Sequence, residues 1–418
     1  MERIRIVGGR PLRGTVRIHG GKNAALPILA ATAAIRGRFL LRNCPRILDV
    51  EVTRALLEGL GVQSRWEGDS LLVQNPGASG HRPEPDLAGR LRASVLLMGA
   101  LLSARGEAQI PLPGGCVLGA RPLDLHVSSL RQLGVEIRAE HGALCCRGRP
   151  EGGTVFLRYP SVGATENLLL AALGASGPVR ILGAAAEPEI GELAAFLRAC
   201  GAEVRGIGTH CLTLTPGPLH GAEYRIEPDR METATYLCAA ACAGGEITLE
   251  NTAPDRLVPV LDCLKKAGCA IRTEGSRLWL RGPALRGVGP VVTGPYPAFP
   301  TDAQAPVTAA LLKAAGVSVI EETVFEDRFR HVPALQAMGA QIELAGRTAR
   351  ILGVEALHGA AVTATDLRGG AAMLIAALGA EGETLLGGAE LLERGYQDLT
   401  ASLRALGAQA ESLPPGQE

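Results

Sequence analysis

Leu60-Gly61-Val62, Leu133-Gly134-Val135, Cys200-Gly201-Ala202, Ala267-Gly268-Cys269, Met338-Gly339-Ala340 and Leu406-Gly407-Ala408 are six versions of one phrase. They recur roughly every 70 residues, and a fixed period of that kind marks a repeat architecture. A helical pattern leads into each glycine: Leu56, Leu57 and Leu60 before the first, Leu125, Leu130 and Leu133 before the second. Glycine just past a helix takes the left-handed conformation without a Cβ clash, so each phrase reads as a helix stop. Alternating segments follow, such as Val135-Glu136-Ile137-Arg138 and Gln341-Ile342-Glu343-Leu344, and read as strands.

Each unit carries a second helical stretch of small apolar residues. Examples are Ala24-Ala25-Leu26-Pro27-Ile28-Leu29-Ala30, Ala93 to Ala100, and Ala371-Ala372-Met373-Leu374-Ile375-Ala376-Ala377. A helix apolar nearly all round is buried on every side. A pattern of one amphipathic helix, one buried helix and several strands is satisfied by sheets outside and buried helices inside. Six units over two domains give three each, with the change near Asp229-Arg230.

The chain has 418 residues, long enough for two domains, and 47% apolar residues to fill their cores. Lys+Arg and Asp+Glu both number 42, so the net charge is +0, which argues against nucleic acid or an anionic membrane as partner. Aromatics are 3%, too few for base-stacking platforms. The ten cysteines follow no C-x-x-C spacing, so neither a disulfide scaffold nor a zinc ribbon is expected. No apolar run approaches the length of a membrane span, and Met1 to Gly9 lacks the apolar core of a signal peptide. The expectation is a reduced cytoplasmic protein.

Several segments carry candidate chemistry. Pro111 to His126 is a loop rich in proline with three glycines, Gly114, Gly115 and Gly119, holding Cys116 near Arg121; a thiol beside a fixed cation has a lowered pKa and can serve as acid or nucleophile. Gly20-Gly21-Lys22-Asn23 opens a helix, an anion site if Lys22 faces a ligand and an ordinary solvated lysine if it does not. It is no P-loop, since Asn23 stands where Ser or Thr would. Asp302, before a buried helix, reads as an N-cap or as a general base. Glu322 to Phe329, Thr365 to Arg368, and Glu393-Arg394-Gly395-Tyr396 each read by themselves as surface ion pairs. Lys22, Arg92, Asp302 and Arg368 all open the buried-helix segment of their unit. Equivalent helix starts in two facing domains converge on one cleft, which predicts a polyanionic small substrate between domains.

The segments Lys22 to Pro27, Arg92-Ala93-Ser94, Pro113-Gly114-Gly115-Cys116, Arg121 to His126, Pro160 to Asn167, Phe299 to Asp302, Glu322 to Glu326 and Ala364 to Arg368 together resemble the UDP-N-acetylglucosamine 1-carboxyvinyltransferases, a branch of the EPSP synthase family of enolpyruvyl transferases. The resemblance runs through the whole chain in order. It implies an α/β fold, the inside-out α/β barrel, with two domains each of three repeated βαβ-type units around buried helices. The expected division is 20–229, carrying the cysteine loop at about 111–126, and 1–19 plus 230–418, with the active site between them.

The resemblance also implies a reaction. The 3′-hydroxyl of UDP-N-acetylglucosamine attacks C2 of phosphoenolpyruvate, C3 is protonated, phosphate leaves and an enol ether remains. Such chemistry needs an acid at the methylene, a base at the hydroxyl, and cations for phosphate and carboxylate. By the match Cys116 donates the proton and can add covalently. Lys22 and Asn23 contact phosphoenolpyruvate, and Arg121 and Arg394 complete the cation clamp. Asp302 holds the sugar hydroxyl and acts as base. Arg92, Arg121, Pro122, Leu123, Asp124, Leu125, Ser161, Val162, Gly163 and Val324 line the sugar-nucleotide site, with Asp366, Arg328 and Arg368 in lesser roles. No metal or organic cofactor is implied. The family's place is the first step of peptidoglycan synthesis in the cytoplasm, where fosfomycin blocks it.

Gly21, Ala234, Ala298, Ala303 and Gly369 depart from the family's usual residues, and none removes a proposed catalytic group. Two rivals are weighed against this reading. Shikimate 3-phosphate as acceptor is opposed by the Cys116 loop and Ser161-Val162-Gly163. A silent sugar-nucleotide-binding paralogue is opposed by the presence of Cys116, Lys22 and Asp302.

Overall fold

A computed structural model describes residues 3–112, 123–282 and 284–414. The six repeated glycines, Gly61, Gly134, Gly201, Gly268, Gly339 and Gly407, have φ of 87°, 77°, 99°, 108°, 93° and 81°. Each ends a helix in the same way. The glycine N–H returns to the carbonyl three residues back, and the next N–H returns five residues back, as Gly61 to Glu58 and Val62 to Leu57 or Gly407 to Arg404 and Ala408 to Leu403. This is the Schellman closure, which satisfies carbonyls that the helix end would leave bare.

The described residues form six sheets, one per repeat. The common unit is an edge strand, a buried helix, a parallel central strand, an amphipathic helix and a hairpin that pairs antiparallel to the central strand. In the third repeat these are Gly153–Phe156, Val162–Ala172, Val179–Leu182, Pro188–Ala199 and the strands Glu203–Arg205 and Cys211–Thr215. Among the described residues the second repeat shows no parallel edge strand, and its sheet has three strands, Glu107–Pro111, Ala143–Arg147 and Glu136–Glu140. Adjacent Cys145 and Cys146 lie within one of these strands.

Two compact units result, one of residues 20–112 and 123–227, the other of 3–19 and 228–414. In the first, the buried helices are Lys22–Ala34, Leu97–Arg105 and Val162–Ala172, and each touches the other two. In the second they are Arg230–Ala243, Gln304–Ala310 and Leu367–Gly379, again in mutual contact. Their lack of a polar stripe follows from this position: helices inside, sheets outside. Alanine and glycine at the contacts let the three axes approach closely. No helix among the described residues is long and apolar enough to cross a membrane.

The N-terminal segment belongs wholly to the second unit. Arg3–Val7 is an interior strand of one sheet, antiparallel to Glu383–Gly387 on one side and Gln409–Leu413 on the other. Leu12–Arg17 is the parallel edge strand of another sheet, beside Gly245–Glu250. The first unit closes in the same manner, since Glu223–Arg225 at its end supplies the edge strand beside Gly37–Arg42 near its start.

Candidate active site

In the unit of residues 3–19 and 228–414, three of the predicted residues meet. Asp302 lies in the turn Thr301–Ala303 that leads into the buried helix Gln304–Ala310, whose N-cap position is Ala303. The cap reading of Asp302 is therefore corrected: its carboxylate reaches two arginines. Oδ1 accepts from Arg328 Nη2 at 2.6 Å. Oδ2 accepts from Arg368 Nη2 at 3.1 Å and Nε at 3.3 Å. The guanidinium side chains are 3% and 6% exposed, whereas that of Asp302 is 30% exposed. A half-exposed carboxylate is thus fixed from behind by two buried cations.

Thr365 to Arg368 reads as a surface ion pair, and the structure corrects that reading; of Glu393 to Tyr396, Tyr396 is buried. Asp366 is the N-cap of the helix Leu367–Gly379, and its Oδ1 accepts from the N–H of Arg368 and of Gly369, each at 3.0 Å. That cap places Arg368 in the first turn, buried and facing Asp302. Burial opposes the Arg368 charge, yet Asp302 foremost, with Tyr396 and Asp229, holds its pKa above the ordinary value. Arg394 closes the short helix Glu390–Glu393, two residues before the buried Tyr396.

Glu322 belongs to the segment read as a mixed-charge surface loop, but it is 1% exposed. Its Oε1 accepts from the N–H of Val324 and Phe325, and its Oε2 accepts from the Thr301 hydroxyl. One carboxylate therefore shapes the turn that presents Val324 and ties it to the segment bearing Asp302. Arg328 continues the same turn, its guanidinium 5.4 Å from the centre of the Phe325 ring.

In the other unit, Lys22 opens the helix Lys22–Ala34, and its Nζ lies 2.5 Å from Asp49 Oδ2. The solvated-lysine reading is corrected, because the Lys22 side chain is 13% exposed and that of Asp49 4%. Asn23 follows in the same first turn. Pro27 has no N–H to give the Asn23 carbonyl, so the helix does not close on that group in the usual way.

In the same unit three of the predicted sugar-nucleotide residues, Arg92, Asp124 and Gly163, come close to His126. Ser161 caps the helix Val162–Ala172 through the Ala164 N–H at 3.3 Å. A Cβ on Gly163 would stand 3.1 Å from His126 Cε1, so only glycine fits without displacement. Asn167 Oδ1 accepts from the Gly99 N–H, and its Nδ2 donates to the Val95 carbonyl and to His126 Nδ1. His126 Nδ1 is therefore an acceptor, which leaves the ring proton on Nε2. Burial brings the His126 pKa down to about 4, and the Arg92 charge adds to the fall. Arg92 begins the turn Arg92–Leu96 that leads into Leu97–Arg105. Leu123 precedes the helix Asp124–Arg131, Asp124 pairs with Arg158, and Leu125 is half-buried. Cys116, Arg121 and Pro122 lie outside the described residues.

Sequence reasoning missed Asp49, Glu322 as a buried group, Tyr396 and Thr235. Glu322 and Tyr396 stood inside quoted segments, but their largely polar neighbours concealed their burial. Asp49 and Thr235 left no local signal, since their partners are remote in sequence.

A repeat of six buried-helix units in two bodies, with a clamped carboxylate in one and a paired lysine in the other, defines a class. The chain belongs to the EPSP synthase (3-phosphoshikimate 1-carboxyvinyltransferase) family, whose model matches residues 6–403. The likeness is sharper to one branch. A UDP-N-acetylglucosamine 1-carboxyvinyltransferase 2 of Caldanaerobacter subterraneus subsp. tengcongensis is 42% identical, over 98% of this chain and 99% of the relative. A UDP-N-acetylglucosamine 1-carboxyvinyltransferase of Granulibacter bethesdensis is 44% identical, over 99% and 100%. Among solved structures, the enolpyruvyl transferase NikO from Streptomyces tendae aligns with a TM-score of 0.88 at 25% identity, covering 98% of both chains. EPSP synthase from Acinetobacter baumannii shares the fold, with a TM-score of 0.75 at 19% identity over 99% and 100%.

Proposed function

We propose that the protein transfers the enolpyruvyl group of phosphoenolpyruvate to the 3′-hydroxyl of UDP-N-acetylglucosamine and releases phosphate. The observation that carries this reading is the Asp302 carboxylate, held by two buried guanidiniums yet open on one side, in a chain alike along its full length to transferases of that name. Asp302 takes the proton of the attacking hydroxyl. Cys116 delivers a proton to C3 of phosphoenolpyruvate as the C2–O bond forms; alternatively its S–H adds across the double bond, the proton to C3 and the sulfur to C2. Loss of phosphate and of a C3 proton from the tetrahedral ketal then restores the double bond. Lys22, Asn23, Arg121 and Arg394 neutralise the phosphate and carboxylate of the donor. Arg92, Pro122, Leu123, Asp124, Leu125, Ser161, Val162, Gly163 and Val324 hold the sugar nucleotide, with Arg328, Asp366 and Arg368 setting the place of Asp302. The residues come from both units, 20–229 and 1–19 with 230–418, which we take as the working domains.

In this reading the enzyme works in the cytoplasm, supplies the first committed precursor of peptidoglycan, and is a target of fosfomycin. The test is phosphate release from phosphoenolpyruvate, measured alone, with UDP-N-acetylglucosamine, and with shikimate 3-phosphate. Release that requires the sugar nucleotide is expected. Release with shikimate 3-phosphate alone, or none at all, overturns the reading.

A further inference from the structure

Arg368 faces Asp302 with Nε and Nη2, and its third nitrogen, Nη1, points elsewhere. Nη1 donates to Tyr396 Oη at 3.1 Å. The guanidinium carbon lies 5.8 Å from the centre of the Tyr396 ring. Tyr396 Oη is in turn 2.8 Å from Thr235 Oγ1, which is 2.9 Å from the Met231 carbonyl. Tyr396 and Thr235 are 3% and 1% exposed.

The direction of every proton in this chain is fixed. A guanidinium only donates, so Tyr396 Oη must accept from Arg368. The phenol proton then has one acceptor among these groups, Thr235 Oγ1. The threonine proton is left for the Met231 carbonyl, one helical turn back. Arg368, Tyr396, Thr235 and Met231 thus form a one-way relay of hydrogen bonds, with both hydroxyl protons assigned. It ends on the backbone of the buried helix Arg230–Ala243.

We propose that Tyr396, backed by Thr235, is a positioning residue that holds Arg368 in the rotation presenting Nε and Nη2 to Asp302. This inference rests on the reading of Asp302 as the proton acceptor. Without the phenol oxygen, Nη1 would be a buried donor lacking an acceptor, and a buried unpaired donor forces its side chain to turn or admit water. Either response moves the Nε and Nη2 edge on which Asp302 Oδ2 rests. Oδ2 of the carboxylate would then lose its fixed arginine edge, and its orientation toward the acceptor hydroxyl would slacken.

The test uses the full chain, phosphoenolpyruvate and UDP-N-acetylglucosamine, with phosphate release as readout. Tyr396→Phe keeps the ring and removes the acceptor; kcat should fall by about tenfold or more while KM for the sugar nucleotide stays within about threefold. Thr235→Val should lower kcat in the same sense, and Thr235→Ser, which keeps the hydroxyl, should restore it. In an Asp302→Asn background, Tyr396→Phe should cost nothing further, because its effect passes through Asp302. If Tyr396→Phe does not fold, the Val and Ser variants of Thr235 carry the comparison. Full turnover in Tyr396→Phe, or a loss that multiplies undiminished with Asp302→Asn, overturns the inference. Full turnover in Asp302→Asn overturns the reading of Asp302 and this inference with it. A crippled Asp302→Asn beside an intact Tyr396→Phe overturns this inference alone.

Discussion

Asp302 owes its geometry to residues 26 and 66 positions away in sequence. Replacing it with asparagine keeps the shape but removes the charge that both arginines answer. Asp302→Asn should cut kcat by roughly a hundredfold or more, the scale of a lost general base, while sugar-nucleotide affinity changes far less. Isothermal titration alongside turnover checks this; the reverse pattern would make Asp302 a binding group only. At this scale the sequence announced residue types better than partners. Lys22 stood out as one of four lysines in a chain that otherwise uses arginine, at a glycine-flanked helix start. Its partner Asp49 did not, because an acidic residue in the first turn of an amphipathic helix is ordinary helix chemistry.

The thiols obey the same logic. Seven of the nine described cysteines are buried, and Cys145 and Cys211 are half-buried. Burial pushes Cys146, Cys200, Cys242 and Cys263 up to about 12 and Cys269 up to about 11. Such thiols stay protonated and unreactive at neutral pH. Fosfomycin, an epoxide shaped like phosphoenolpyruvate, should modify Cys116 alone, as peptide mass mapping would show. A label on any other cysteine counts against its assigned role.

Among the elements, the helices divide by what they bury. The repeated glycine after each amphipathic helix made those six legible, because a left-handed stop with a strand behind it is a local signal. The buried helices were legible as such, but their starts were not, since caps there come from varied chemistry: Ser161, Asp229 and Asp366 by side chain, Gly21 and Ala303 without one. Two buried histidines carry a measurable consequence. His126, before Asn167 and Gly163, and His331, beside Arg328 and at the head of the helix Val332–Ala337, are both brought to about 4 by burial first, with Arg92 and Arg328 adding to the shift. Their folded pKa values lie below the unfolded value near 6.5, so the unfolded chain binds more protons between about pH 4 and 6.5. Stability therefore falls as pH drops through that window, by up to about 3 kcal/mol for each histidine. His126→Asn keeps an acceptor for Asn167 and cannot titrate. Hydrogen exchange at pH 7 and pH 4.5 should show its own unit losing less protection on acidification than in the parent, with the other unit unchanged.

For the whole molecule, the count of repeats was readable because the stop phrase recurs, whereas the joining of 1–19 to 230–418 came only from the resemblance and the strand pairings that close each unit had no local signal. A strand such as Arg3–Val7 carries alternating residues that say one face is buried, but nothing local says that its partners are Glu383–Gly387 and Gln409–Leu413. Those pairings span nearly the full chain. Deleting residues 1–17 removes an interior strand from one sheet and an edge strand from another, both in the same unit. Hydrogen exchange should then show wide loss of protection in 228–414 and near-parental protection in 20–112 and 123–227. Equal loss in both would mean that the units are not separately stable.

That interior strand also fixes an order of events during synthesis. Residues 3–7 leave the ribosome before every other described strand, and the two strands that flank them, Glu383–Gly387 and Gln409–Leu413, come after all the rest. At roughly 5 to 20 residues per second, the interval is on the order of 20 to 80 s. Throughout it the segment has Ile4 and Ile6 to hide and no sheet to hide them in. The unit spanning 20–227, by contrast, has all its strands in hand about halfway through translation. The unit that comes second along most of its length therefore waits on its first strand's partners, while the other unit's described strands can already be paired.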